Sequence, residues 1–327
     1  MPRQARLDAP GTLHHIIIRG IERKKIVNDD HDRQDFVSRM GNIALDTQTH
    51  IYAWALMTNH AHILLRSGPS GLSHYMRRLL SGYAISYNRR HRRHGHLFQN
   101  RYKSIICEED PYFKELIRYI HLNPLRAKVM ENLAKLDGYK YSGHSVIIGK
   151  VKNDWQNRNY VLTWFGKKEG EAKRNYRHFV KKGIDQGQRP DLVGGGLIRS
   201  QGGWSTVKAM RRLGVREKSD KRILGSGDFV KKLIHQSDHA RKAQFSSYKR
   251  SQHAVSLIKN ICKKEGITFD ALRSGSRRQK VASVRFQLAK MFVEEWGLTL
   301  AETSRHLGVS TSAIAKSLYR SSRNKSN

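Results

Sequence analysis

The sequence predicts an α+β protein, with an antiparallel sheet in its first part and a mostly helical C-terminal region. Three observations predict this class. The first 145 residues alternate strand-like and helix-like apolar patterns. The chain has no proline after Pro190, as expected of compact helices. Near the C-terminus, a glycine-centred turn separates two short amphipathic segments.

The first half of the alternating pattern contains three strands and one helix. Residues 12–20 (TLHHIIIRG) are rich in β-branched side chains and predict the first strand. Residues 30–48 begin with Asp and place apolar side chains at helical spacing, so they predict a helix. Residues 50–58 and 60–68 predict two further strands, which Asn59 separates.

The second half of the pattern adds two helices and one strand. Residues 72–88 predict an amphipathic helix, and residues 101–109 predict a strand. Asp110 and Pro111 then open a helix that we expect to end at Pro124, since proline fits a first turn and disrupts a helix interior. The order β-α-β-β-α-β-α is the ferredoxin-like split βαβ plan with one added helix, and this domain is expected to span residues 1–145.

The rest of the chain divides into three expected segments. Residues 146–250 form a basic middle region of unknown role, whose glycine clusters lack the G-x-x-x-x-G-K-[ST] pattern of a phosphate loop. Residues 251–320 are helical, and within them residues 301–307 and 311–319 are joined by a Gly-Val-Ser turn. This spacing predicts a helix-turn-helix, with an ordinary helical hairpin as the alternative. Residues 321–327 are expected to be a disordered tail.

Charge and cysteine content restrict the partners and the compartment. The chain carries 62 Lys and Arg against 27 Asp and Glu, a formal net charge of +35, which favours a polyanionic partner such as nucleic acid. Two cysteines exclude a disulfide framework and fit a reducing compartment. The N-terminus lacks an apolar signal core and no apolar run reaches membrane-spanning length. We therefore expect a cytoplasmic, nucleoid-associated protein without a membrane partner.

Two polar pairs are the candidates for chemistry. His60 and His62 are two residues apart in a predicted strand, so both imidazoles face one side and could bind a divalent ion. Tyr119 and Asn123 are four residues apart on a helix and share one face. A tyrosine beside a metal-bound phosphate can form a covalent phosphotyrosine. Each pair also has an ordinary structural interpretation. The two histidines could simply face solvent, Tyr119 could be a core aromatic, and Asn123 could be a helix-stopping residue before Pro124.

The combination of these pairs resembles a known family. The segments MTNHAHILL, LFQNRYKS and YIHLNPLRAKV occur in that order within the first 145 residues. They resemble the single-tyrosine HUH transposases, and more narrowly the REP-associated tyrosine transposases. The resemblance implies that His60, His62 and Asn123 hold Mg²⁺ or Mn²⁺. It also implies that Tyr119 attacks single-stranded hairpin DNA and leaves a 5′-phosphotyrosine and a free 3′-OH.

Basic residues of the first domain are expected to contact DNA. A cluster at residues 88–96 and two cations just after it would bind backbone phosphates, with a solvated loop as the alternative. The residues are Arg89, Arg90, Arg92, Arg93, Arg101 and Lys103.

The C-terminal region resembles the DNA-binding domain of the replication initiator DnaA, chiefly in the segment LRSGSRRQKVASVRFQLAKM. The resemblance implies that Arg277 or Arg278 enters the minor groove of duplex DNA. It implies major-groove contacts for Ser310, Thr311, Ser312 and Lys316. The segment STSA replaces the Asp-His-Thr-Thr of that family, so the recognised sequence is not expected to carry over.

Three functions remain open at the level of sequence. The first is a metal-dependent transposase that cleaves and rejoins single-stranded DNA. The second is a non-catalytic DNA-binding protein, either a domesticated hairpin binder or a transcriptional regulator. The third is an RNA-binding protein, which the predicted helix-turn-helix disfavours. The sequence leaves open whether the chain acts as a monomer or a homodimer, and whether the metal is Mg²⁺ or Mn²⁺.

Overall fold

The structure, a computed structural model, describes residues 7, 10–187, 189–200, 218–243, 247–296 and 298–323. The chain divides into two compact units, residues 1–240 and residues 241–327. Across these described ranges, none of the helices combines the length and the apolar character needed to cross a membrane. Cys107 and Cys262 are both buried free thiols.

The predicted order of strands and helices is confirmed in the first unit. Its first seven elements are β1 Leu13–Arg19, α1 Asp30–Asp46, β2 His50–Leu56, β3 His60–Arg66, α2 Gly71–Arg90, β4 Lys103–Cys107 and α3 Glu109–His121. The last helix ends earlier than expected, and a four-residue helix α4, Asn123–Arg126, follows it at once. Pro124 lies in the first turn of α4, where its missing N–H costs no hydrogen bond.

The sheet has the order β2-β3-β1-β4-β5. Its first four strands pair antiparallel, as the split βαβ plan requires. The fifth strand, β5 Ile223–Leu224, comes from the middle region and pairs parallel with β4, so the sheet is mixed. The β5 segment accepts hydrogen bonds at an otherwise open sheet edge: the N–H groups of Ile106 and Glu108 donate to the carbonyls of Arg222 and Leu224.

The helices after α4, most of them in the middle region, complete the first unit. They are α5 Leu133–Asp137, α6 Gly143–Ile148, α7 Arg158–Thr163, α8 Glu169–Lys181, α9 Leu197–Ser200 and α10 Gly227–Ala243, with short 3₁₀ turns at Ile21–Arg23, Ile184–Gln186 and Pro190–Val193. Gln156 connects this region to the sheet, because its side chain accepts from Trp54 Nε1 at 2.9 Å and donates to the Tyr52 carbonyl at 3.2 Å. The middle region is thus packed against the sheet.

Each face of the sheet has its own apolar core. Helices α1 and α2 cover one face, where Phe36, Trp54 and Tyr83 are fully buried. Helix α3 and the middle-region helices cover the other face around Leu64, Phe113 and Tyr176. Because side chains alternate along a strand, β1 sends His14, Ile16 and Ile18 toward the first core, and His15, Ile17 and Arg19 toward the second.

His121 lies in a buried polar network of the second core. Its Nδ1 lies 2.7 Å from the Tyr176 hydroxyl, which lies 2.6 Å from Nδ1 of His144. His144 Nε2 then donates to Asp137. Burial lowers the pKa of both histidines, so both imidazoles are neutral, and one of them is hydrogen-bonded to the carboxylate of Asp137.

The second unit is helical, as the sequence predicts. Its elements are α11 Ser247–Glu265, α12 Phe269–Arg273, α13 Gln279–Lys290, a π turn Met291–Glu295, α14 Leu300–Leu307 and α15 Thr311–Arg323. Leu307 and Ile314 are buried between the last two helices, and Gly308 makes the turn with a φ of +66°. The last helix reaches into the segment predicted as a disordered tail, and residues 324–327 lie outside the described residues.

Candidate active site

The two histidines of the sequence motif lie side by side on β3. In the sheet, His60 is opposite Arg19 and His62 is opposite Ile17, so both imidazoles face the α3 side. Their ring centroids are 5.5 Å apart. Burial lowers the pKa of His60 to about 4 and that of His62 well below its usual range. Both rings are therefore neutral near pH 7, which is the form that binds metal ions.

Helix α3 places Tyr119 against the rings of His62 and His15. The phenol ring centroid lies 5.7 Å from that of His62 and 5.8 Å from that of His15, both edge-on. Burial raises the pKa of Tyr119; the charge of Arg126 opposes that increase, the charge of Asp191 adds to it, and the charge of Arg19 opposes it. The guanidinium of Arg126 lies 5.3 Å from the centre of the phenol ring. The tyrosine is thus half-buried, and the two guanidinium charges stabilise its phenolate form, so its pKa is lower than burial alone would make it.

Asn59 fixes how His60 presents its nitrogen atoms. The Asn59 amide nitrogen donates to the carbonyl of Arg23 at 3.2 Å, which turns the amide oxygen toward His60. His60 Nδ1 lies 2.6 Å from that oxygen and must donate to it, since an amide oxygen only accepts. In a neutral ring, the proton on Nδ1 leaves Nε2 of His60 with a free lone pair.

Asn123 lies one helical turn beyond Tyr119, at the start of α4. It is 8% exposed, and its amide nitrogen is buried without a hydrogen-bond partner in the described part of the chain. An unpaired buried amide costs free energy unless another group satisfies it. The structure brings His60, His62 and Tyr119 into one cluster and leaves the Asn123 amide nitrogen unpaired just beyond the end of α3.

This donor set fits a divalent cation. Imidazole nitrogen binds first-row transition-metal ions, and amide oxygen binds hard ions such as Mg²⁺ and Mn²⁺. No cluster of three His, Cys, Asp or Glu side chains suited to a metal ion occurs in the described ranges. With His60 and His62 as two ligands, the amide oxygen of Asn123 would be the third.

The basic residues expected to bind DNA have different surroundings. Arg90 is paired with Asp29 at 2.6 Å and with the buried Asp32 at 2.5 Å, so its charge is already compensated. Arg93 donates to Asn88. Lys103, on β4, is directly opposite Ile17 in the sheet and therefore lies on the same face as His62. The remaining members, Arg89, Arg92 and Arg101, are exposed.

The sequence motifs do not include four groups of the site, which are His15, the Leu192 carbonyl, Arg19 and Arg126. His15 Nε2 lies 2.9 Å from His62 Nδ1, and His15 Nδ1 lies 3.0 Å from the Leu192 carbonyl oxygen. Arg19 and Arg126 place positive charge beside the tyrosine. The period of the first strand assigns His15 and Arg19 to one face, but only the strand register shows that His60 and His62 share it.

In the second unit, the candidate DNA-binding residues are exposed. Arg277 and Arg278 lie in the turn before α13, and Thr311, Ser312 and Lys316 lie on the first turns of α15. Ser310 caps α15, because its hydroxyl accepts from the Ala313 N–H at 3.1 Å. Its side chain therefore has a structural partner, and the contacts of all these residues with DNA stay predictions.

A tyrosine set against paired imidazoles on a ferredoxin-like sheet defines a candidate site for phosphoryl transfer through a covalent tyrosine. Residues 11–123 match the sequence profile of the family described as IS200-like transposases. The prediction of a transposase enzyme is thereby confirmed.

Comparison of structures gives a weaker likeness. A solved structure of a REP-associated tyrosine transposase bound to a REP hairpin aligns with 48% of this chain and 94% of its own, at a TM-score of 0.39 and 13% sequence identity. No curated protein matches the chain.

Proposed function

We propose that the protein is a metal-dependent DNA strand-transferase that cleaves and rejoins single-stranded, REP-like hairpin DNA through a 5′-phosphotyrosine intermediate. Tyr119 is the nucleophile, and His60, His62 and Asn123 hold the divalent cation. The observation that carries this proposal is the edge-on contact of the Tyr119 ring with His62, at 5.7 Å between centroids.

In the proposed reaction, the Tyr119 oxygen attacks the scissile phosphorus. A Tyr Oη–P bond forms and the P–O3′ bond breaks; the phenol gives up its proton, and the departing 3′ oxygen takes one up to become a hydroxyl, so the two proton transfers balance. The reverse attack of a 3′-OH on the phosphotyrosine releases the tyrosine and rejoins the strand, so the phosphodiester free energy is conserved. A bound divalent cation would withdraw negative charge from the phosphate.

Residues of this chain prepare the tyrosine for the attack. A phenol with an ordinary pKa near 10 is mostly protonated at neutral pH, and burial raises the pKa of Tyr119 further. Arg126 and Arg19 oppose this shift, because positive charge stabilises the phenolate. The same guanidinium groups can bind the phosphate oxygens of the substrate.

DNA is the substrate and the partner in this proposal. Exposed Arg92, Arg101 and Lys103 are offered as contacts to the backbone of the hairpin. The DnaA-like helices of the second unit are proposed to bind duplex DNA through Arg277, Lys316 and their neighbours. This division assigns cleavage to the first unit and duplex targeting to the second.

The test is a search for the covalent adduct. The protein is mixed with end-labelled single-stranded hairpin DNA from repeats that flank its own gene, with Mg²⁺ or Mn²⁺, and then denatured. We expect label on the protein that requires the metal and is absent in Tyr119→Phe. Because only the attacking oxygen is removed, hairpin binding in native gels should stay within about twofold.

Tyr112→Phe is the matched control. Tyr112 lies two turns earlier on α3, and its hydroxyl donates to the Ser200 carbonyl at 3.0 Å. This variant should form the adduct as the wild type does. Adduct formation by Tyr119→Phe would refute the assignment of the nucleophile. Hairpin binding without any adduct in the wild type would instead support the non-catalytic DNA-binding protein.

A further inference from the structure

A chain of hydrogen bonds leads from the middle region to the candidate metal ligand. The carbonyl oxygen of Leu192, in the 3₁₀ turn Pro190–Val193, lies 3.0 Å from His15 Nδ1. His15 Nε2 lies 2.9 Å from His62 Nδ1. Leu192, His15 and His62 are 1%, 0% and 5% exposed, so solvent does not compete for these bonds.

The direction of each bond follows from the donor inventory. A carbonyl oxygen only accepts, so His15 Nδ1 carries the proton of the first bond. His15 is 0% exposed, and burial favours the neutral ring, whose Nε2 then has a lone pair. The second bond therefore needs its proton on Nδ1 of His62. Nε2 of His62 is left without a proton.

We propose that His15 is a positioning residue for His62: held by the Leu192 carbonyl, it fixes His62 in the tautomer whose Nε2 is free to bind the divalent cation. The proposal rests on the metal site of the proposed function. Histidine ligands of metals usually donate their second ring nitrogen to such a partner, and loss of the partner weakens metal binding by about 10- to 100-fold.

The structure offers two comparisons that separate this role from ordinary core packing. His60 also carries its proton on Nδ1, but its partner is different: the amide oxygen of Asn59 accepts from Nδ1 and leaves Nε2 free. His14, the other buried histidine of β1, faces the opposite core and bonds to Ser104 and Thr12. Burial of a histidine in this strand thus does not by itself produce a bond to a ligand.

The experiment measures the tautomer of His62 without any metal. Long-range ¹H–¹⁵N spectra of the ¹⁵N-histidine-labelled, metal-free protein distinguish a protonated Nδ1 from a protonated Nε2, and His62→Gln assigns the signal. We expect the Nδ1-protonated form in the wild type. His15→Phe keeps a ring of similar size but no acceptor, and should give a mixture of tautomers or the other form.

Metal affinity gives the second readout. Mn²⁺ titration followed by electron paramagnetic resonance should show a 10- to 100-fold weaker dissociation constant for His15→Phe. His15→Gln, whose side-chain oxygen can still accept from His62, should restore most of the affinity. His14→Phe, the matched control on the other face, should bind Mn²⁺ as the wild type does. Thermal unfolding of each variant identifies any that fails to fold. If His15→Phe does not fold, the His62 tautomer and the Mn²⁺ affinity of His15→Gln are compared with those of the wild type instead.

The outcomes separate the two proposals. A wild type whose His62 carries its proton on Nε2, or a folded His15→Phe with an unchanged tautomer and affinity, would overturn the role of His15. Equal losses in His14→Phe and His15→Phe would also overturn it, because they would show a packing effect. If the wild type binds no Mn²⁺, the proposed metal site fails, whereas the spectra still decide whether His15 sets the tautomer.

Discussion

A fall in pH from 7 to 5 is expected to destabilise the first unit strongly. Burial lowers the pKa of His15 and of His60 to about 4, whereas an unfolded histidine titrates at 6.5. Between these values the unfolded chain binds more protons than the folded chain. The stability that the two neutral rings contribute is therefore fully present above about pH 6.5 and is lost as the pH falls toward 4.

The magnitude follows from the size of the shifts. At pH 5 each ring is about 1.5 units below its unfolded pKa, which corresponds to about 2 kcal/mol at 1.36 kcal/mol per unit. The two rings together give about 4 kcal/mol, a large part of the 5–15 kcal/mol that stabilises a typical domain. His62, whose pKa burial lowers further, adds to this loss.

Urea unfolding at pH 7 and at pH 5 measures the effect. Trp296 is the tryptophan of the second unit, so a Trp296→Phe background assigns the fluorescence change to the first unit. His15→Gln removes one titrating ring, and its unfolding free energy should fall by about 2 kcal/mol less than that of its parent. An unfolding free energy that changes by less than about 1 kcal/mol between the two pH values would refute the reasoning.

Three further predictions concern the nucleophile, the second unit and duplex binding. Arg126→Gln removes a charge that lowers the pKa of Tyr119, so the pH profile of single-turnover cleavage should move to higher pH; an unmoved profile would contradict this role. Gly308→Ala should destabilise the second unit by about 2–4 kcal/mol in hydrogen exchange, since its Cβ would lie 2.2 Å from a carbonyl oxygen, whereas Gly275→Ala, with φ +76° and open space, should cost about 1 kcal/mol. Equal losses would show that backbone strain alone matters. Lys316→Ala should lower the salt dependence of duplex binding by about one unit and leave nicking unchanged, and an unaltered slope would exclude a phosphate contact.

The order of strands and helices in the first unit could be predicted because each element depends on the pattern of neighbouring residues in the sequence. Short β-branched or apolar runs marked β1 to β4, and helical spacing marked α1 to α3. The two-residue period of side chains along a strand placed His60 and His62 on one face. The end of α3 was predicted at Pro124 but lies at His121, because proline can begin a new helix as well as stop one.

The sequence by itself determined the fold class, the paired histidines and the tyrosine of the candidate site. Each of these depends on residues within one strand or one helical turn. Only the tertiary structure decided which groups surround them, since His62 and His15 are 47 residues apart and His15 and the Leu192 carbonyl are 177 apart. Strand register, the added strand β5 and the backbone turn at Leu192 depend on distant contacts. A carbonyl acceptor is common to every residue, so no sequence pattern marks the one that orients His15.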